Sequence, residues 1–151
     1  MVFIDETGIG TFLFREYGYA KRGEKVFEQV CGKKYRRVGI VAAQTGQKIV
    51  SPLQFEGTMD GQLFEAWFEE HLMKEIAPNS VIVMDNAAFH RKKQIASLAQ
   101  DNGHRVIFLP PYSPDHNPIE HFWSWLKGKL KKLLPSFDNF DEALRYCFNC
   151  I

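Results

Sequence analysis

Three acidic residues stand where apolar runs stop or helices begin. Val2-Phe3-Ile4 ends in Asp5, Val81-Ile82-Val83-Met84 ends in Asp85, and Glu120 follows Asn117-Pro118-Ile119 at the start of an apolar stretch. An apolar run ending in a carboxylate reads as a buried strand that delivers an acid to the sheet's C-terminal edge, where open α/β sheets hold their ligands. Carboxylates held on rigid elements suit Mg2+ or Mn2+, hard cations that prefer oxygen ligands. Two such ions, about 3.5–4 Å apart, can stabilise both the attacking and the leaving oxygen of a phosphodiester. The expected site therefore has Asp5 and Asp85 on neighbouring strands binding two metals, with Glu120 completing it from its helix.

Each acid also has a simpler reading. Asp5 can merely terminate a strand, with Glu6 as the ligand in its place. Asp85-Asn86 can form an Asx turn. Glu120 sits where a glutamate often completes a helix capping box. His90 either lies near the metals or the scissile phosphate or is a turn residue, and Asn86 can orient a ligand or a water. His116 and His121 flank Glu120, but the chain has no H-x-x-x-H spacing, which argues against a histidine-rich zinc site.

The elements that must position these residues can be read in order. Residues 2–5 form a buried strand, and Thr11–Arg15 reads as a short one. Residues 15–35, with Gly18, Gly23 and Gly32, read as a loop. Arg37–Ala43 and Gln47–Leu53 are joined through Gln44-Thr45-Gly46 as an antiparallel hairpin. Thr58 caps a helix near 59–76, in which Leu63, Phe64, Trp67, Phe68, Leu72 and Ile76 recur at helical spacing. A strand over 81–85, a helix over 91–101 closed by Asn102-Gly103, and a strand over Arg105–Leu109 follow. The prolines of 110–118 impose a stiff connection. The next helix has Asn117 as its cap and Pro118 at its first position, with Ile119, Phe122, Trp123, Leu126, Leu130 and Leu133 buried. Asp138–Cys147 is the last helix. Early antiparallel strands followed by α/β alternation give a mixed sheet flanked by helices, in the order of a ribonuclease H-like fold.

With 151 residues, 45% of them hydrophobic and 14% aromatic, the chain suits one packed domain, residues 1–151. No apolar run approaches the roughly 20 residues of a membrane span, and no signal peptide is visible, so a cytoplasmic location is expected. The three cysteines, Cys31, Cys147 and Cys150, give no disulfide framework. The net charge is only +1, yet the basic residues cluster. Lys33, Lys34, Arg36 and Arg37 form one group, Arg91 and Lys92 with Lys93 a second, and Lys127, Lys129, Lys131 and Lys132 a third. Such clusters are candidate phosphate-binding groups, although surface lysines are often only solvated. Trp123 reads as core, not as a base-stacking residue.

The stretches Phe3-Ile4-Asp5-Glu6 and Val83-Met84-Asp85-Asn86 with His90, and the long block from Leu109-Pro110-Pro111-Tyr112-Ser113-Pro114-Asp115 through Asn117-Pro118-Ile119-Glu120 to Trp123, Leu126 and Lys127, resemble the catalytic domain of DDE transposases. The nearest pattern is the mariner superfamily in its bacterial insertion sequence 630 branch. The resemblance covers residues 2 to about 145. It implies that Asp5, Asp85 and Glu120 are the catalytic, metal-binding acids, that two Mg2+ or Mn2+ ions are used, and that the substrate is DNA: transposon ends and target, in a homodimeric complex. Members of this family normally carry N-terminal helix-turn-helix domains, whereas Met1 here stands almost directly before the first strand. The second reading frame of a split element, a truncated remnant and an excised domain all fit this departure, and a separate N-terminal DNA-binding polypeptide is one candidate for recognising element ends in a bacterial, nucleoid-associated setting. The competing expectations are a non-catalytic transposase remnant that binds DNA or a partner, and a stand-alone nuclease of the same fold.

Overall fold

The computed structural model describes residues 1–10, 37–110 and 117–151. The expected strand at Thr11–Arg15, the loop of 15–35, Cys31, Lys33, Lys34, Arg36 and the segment 111–116 with His116 lie outside the described residues. Five strands form one mixed sheet in the order β3-β2-β1-β4-β5. They are β1 (Val2–Gly10), β2 (Arg37–Thr45), β3 (Lys48–Glu56), β4 (Val81–Met84) and β5 (Arg105–Phe108). The first three make an antiparallel meander, while β4 joins β1 in parallel and β5 joins β4 in parallel. The earliest strand is thus central. It also runs five residues further than 2–5, because Thr7 and Ile9 are buried on one face while the chain keeps pairing with β2 as far as Gly10.

Side chains alternate across the pleat, so β1, β2 and β3 feed two cores, while β4 and β5 feed one. Val2, Ile4, Ile82 and Met84 pack with Phe64, Trp67, Phe68, Leu72, Ile95 and Ala99 on one face. Ile9, Val38, Ile40 and Ala42 pack with Ile119, Trp123, Leu126, Leu130, Leu144 and Cys147 on the other. The first face is covered by α1 (Gly61–Trp67), a π-helical segment (Phe68–Leu72), α2 (Met73–Glu75) and α3 (Lys92–Asp101). The second is covered by α4 (Ile119–Leu133) and α5 (Phe140–Asn149). Each large buried side chain contributes about 1.5–3 kcal/mol. That outweighs the few tenths of a kcal/mol separating most residues in helix propensity, so docking on the sheet holds these short helices.

Several boundaries differ from the sequence reading. Asp60, not Thr58, caps α1: its Oδ1 accepts the Leu63 amide at 2.8 Å. The helix expected to be continuous over 59–76 widens into a π turn at 68–72 and ends at Glu75, with Ile76 already extended. Pro118 takes the cap position of α4 without a side-chain cap, because the Asn117 side chain turns away and its Nδ2 donates to the Ile4 carbonyl at 3.2 Å. The end of α3 is as expected. Gly103 adopts φ +76, and the amides of Gly103 and His104 donate to the carbonyls of Gln100 and Ala99, a Schellman closure. Among the described residues, no helix is long and apolar enough to cross a membrane.

Candidate active site

Asp5 and Asp85 are brought together by strand register. Phe3 pairs with Val83 across the parallel β1–β4 ladder. Carried two residues on, the same register sets Asp5 beside Asp85, strands about 4.8 Å apart, just past the end of β4. Asp85, just past the end of β4, has its Oδ1 reached by His90 from the α1–α3 side, whereas Ile4 faces that core and Asp5 therefore faces the other way, toward α4. There the buried Trp123 Nε1–H donates to Asp5 Oδ2 at 3.0 Å. Glu120 projects from the first turn of the same helix, three positions before Trp123.

Electrostatics reflect this convergence. Burial, then the charges of Glu120 and Asp85, push the Asp5 carboxyl up to about 7. The three acids therefore share one field, although Glu120 is exposed. Asp85 goes the other way. A hydrogen bond with His90 holds its carboxyl below the ordinary range, helped by the Ala87 amide and opposed by partial burial.

Asp85 Oδ1 accepts the Ala87 amide at 3.1 Å, so the Asx turn does form. It leaves the carboxylate 48% exposed. The capping-box reading of Glu120 is not seen, since α4 has no side-chain cap. His90 is no simple turn residue. Its side chain is 2% exposed, with Nε2 3.1 Å from Asp85 Oδ1 and 3.8 Å from Glu6 Oε1. Its ring centroid lies 4.4 Å from that of Phe64 and 4.2 Å from that of Phe89. Glu6, one residue on from Asp5, faces the other side of the sheet. Burial, then the charges of Asp5 and Asp85, push its carboxyl up to about 8. Among the described residues, no three His, Cys, Asp or Glu side chains are gathered closely enough to enclose a metal ion by themselves. The donors near Asp5 and Asp85 are nonetheless hard oxygens whose mutual repulsion a divalent cation would relieve, so their chemistry fits Mg2+ or Mn2+.

Asn86, Ala87, His90, Arg91, Lys92 and Lys93 line an open cleft of about 620 Å³ beside Asp85. Arg91 is engaged at 2.6 Å by Glu65, and the Lys92 ammonium lies 5.8 Å from the Phe108 ring centroid. Arg37 is elsewhere. It lines a second cleft of about 290 Å³ with Glu6 and Phe55, where its guanidinium lies over Gly8. Lys127 and Lys131 are exposed on α4, facing away from the core. Sequence reasoning missed Trp123 as a partner of Asp5. The available signal was its spacing of three from Glu120, which puts both on adjoining faces of one helix.

The family model described as DDE superfamily endonuclease matches residues 1–143, and the chain belongs to that superfamily. It is 29% identical over 84 residues to the Tc1 transposase of Caenorhabditis elegans, a match covering 56% of this chain and 29% of that protein. The fold is similar to that of Mos1 transposase in its strand transfer complex, with a TM-score of 0.67 at 15% identity over 95% of this chain and 49% of that one. A Mos1 mariner paired-end complex with Mn gives a TM-score of 0.61 at 14% identity, covering 95% and 50% of the two chains. The sheet and its flanking helices are thus the ribonuclease H-like architecture, and the chain spans about half the length of these structures.

Proposed function

We propose that this chain is the catalytic domain of a DNA transposase of the mariner superfamily, in the bacterial insertion sequence 630 branch. It cleaves DNA at element ends and joins the freed 3′ hydroxyl to target DNA. Asp5, Asp85 and Glu120 hold two divalent ions, Mg2+ or Mn2+. One observation carries this reading: the β1–β4 register sets Asp5 beside Asp85, and Trp123, one turn beyond Glu120 on α4, bonds Asp5 at 3.0 Å. Divalent ions held there would supply charge stabilisation at the phosphate and acidify the attacking oxygen. Trp123 fixes one oxygen of Asp5, and the cleft of Asn86, Lys92 and Lys93 borders Asp85, where a DNA backbone can run. Residues 1–151 act as one catalytic domain in a homodimeric complex on paired ends in the cytoplasm, and a DNA-binding polypeptide outside these residues recognises the element's terminal repeats.

The test is calorimetric titration of Mn2+ into the wild-type chain and into Asp85→Asn. Binding to wild type that weakens at least tenfold in the variant is expected. Equal binding by both would remove Asp85 from the site. In a full-length or reconstituted transposase, Asp85→Asn is expected to abolish cleavage of element ends. Salt-sensitive DNA binding without any cleavage by the wild type would favour the non-catalytic reading instead.

A further inference from the structure

Asp5 and Asp85 are held in matching ways from opposite sides of the sheet. On the α4 side, the indole Nε1–H of Trp123 donates to Asp5 Oδ2 at 3.0 Å, and the ring is 1% exposed. On the α1–α3 side, His90 Nε2 lies 3.1 Å from Asp85 Oδ1, with the imidazole wedged between Phe64 and Phe89. Asp85 Oδ1 already accepts the Ala87 amide, so the imidazole nitrogen facing it must donate. His90 Nδ1 is buried with no partner among the described residues. As a second N–H it would be an orphan donor, whereas a bare ring nitrogen is cheaper to bury. The packing and the hydrogen bond together select the Nε2–H tautomer.

We propose that His90 and Trp123 are positioning residues: each ties down one oxygen of an active-site carboxylate, Asp85 or Asp5, with a buried ring N–H, leaving the other oxygen as the ligand-facing atom. This rests on the metal-binding role given to Asp5 and Asp85. A freely rotating carboxylate can present both oxygens, and its rotamer freedom must be lost on binding. A carboxylate whose inner oxygen is tied presents one oxygen in one place. Asp85 fits this description, being half exposed while the ring that grips it is buried. Phe64 and Phe89 restrict His90 to this position in turn, so the constraint on Asp85 passes back into the core.

Nitrogen-15 spectra of the metal-free chain test this directly. His90 is expected as the Nε2–H tautomer, with a resonance that moves in Asp85→Ala. The Trp123 indole N–H is expected to exchange slowly, and about tenfold faster in Asp5→Ala, for the loss of a hydrogen bond to a charged group. An Nδ1–H imidazole, or an indole exchange rate unchanged in Asp5→Ala, would overturn the proposal. Mn2+ titration provides the second readout. His90→Phe keeps the ring stack and loses the donor, and should weaken Mn2+ binding about tenfold or more while its melting temperature in EDTA stays near wild type. His90→Gln retains an N–H donor and should recover most of the affinity. Wild-type affinity in a folded His90→Phe would overturn the role of His90. A wild-type chain that binds no Mn2+ would count against the metal reading alone, and the metal-free spectra would then decide the positioning.

Discussion

Asp5 carries the conflict within the site. Its carboxyl is pushed up to about 7 by burial and by two acidic neighbours, and Glu6 behind it to about 8. A carboxyl whose folded pKa lies above its unfolded value binds a proton more tightly when folded. It favours folding at low pH and loses that contribution as pH rises through the folded value. The chain stripped of metal should therefore lose stability between about pH 4 and pH 8, by a few kcal/mol over that range. Asp85, shifted the other way, contributes its stability throughout this range and loses it only below the ordinary carboxylate pKa, so it offsets none of the loss. Melting curves in EDTA at pH 5.5 and pH 8 check this, and the lower melting temperature is expected at pH 8. Equal melting temperatures would mean that Asp5 and Glu6 do not sit buried among like charges. Both acids were legible in the sequence, because an apolar run that stops at a carboxylate is a local pattern, but Asp5 lies within β1, which runs on to Gly10, and not at its end. The grip of Trp123 on Asp5 was not, since it joins residues 118 positions apart.

Among the elements, β3 shows most plainly what local patterns miss. Its β-rich run and the hairpin were readable, but not the bulge at Ser51-Pro52, where the pairing shifts between Val41 and Ala43. Pro52 was the clue, since proline inside a strand is confined to edges and bulges. Ser51 adopts φ +50, and its hydroxyl is buried without a partner among the described residues. Its backbone is held by α1 and α2: the Trp67 indole donates to its carbonyl at 2.8 Å and Glu75 accepts its amide at 2.8 Å. Those two bonds use only main-chain atoms of Ser51. Ser51→Gly keeps both, removes the left-handed strain and deletes the orphan hydroxyl. After the extra chain entropy of glycine, a net gain of about 0.5–1 kcal/mol is expected. Thermal unfolding should show a rise of a few degrees, and a fall would mean that the serine hydroxyl has a role at the bulge. Helix positions were legible from apolar spacing. The caps at Asp60 and Pro118 were not, because which nearby polar side chain turns to the helix depends on what else it can bond, as Asn117 does with Ile4.

For the whole molecule, the near-neutral total of +1 conceals a polarised surface. Lys127, Lys129, Lys131 and Lys132 lie along α4 beyond Glu120, and the Lys129 ammonium sits 4.7 Å from the Trp125 ring centroid. Replacing all four by alanine should weaken DNA binding and flatten its dependence on salt, because a surface that neutralises fewer phosphates displaces fewer counterions. A binding isotherm series in rising salt measures that slope, and an unchanged slope would put the DNA on another face. The order of the strands has a consequence for the growing chain. Because β1 ends up between β2 and β4, the meander of β1, β2 and β3 is complete in sequence before residue 81 is synthesised. Whenever the meander forms before β4 docks, the strand bearing Asp5 is an open edge, with the row of unpaired amides and carbonyls that invites pairing with another chain. In such a meander the centre of the finished sheet is an adhesive border, and the arrival of β4 both closes that border and first gives Asp5 its partner acid.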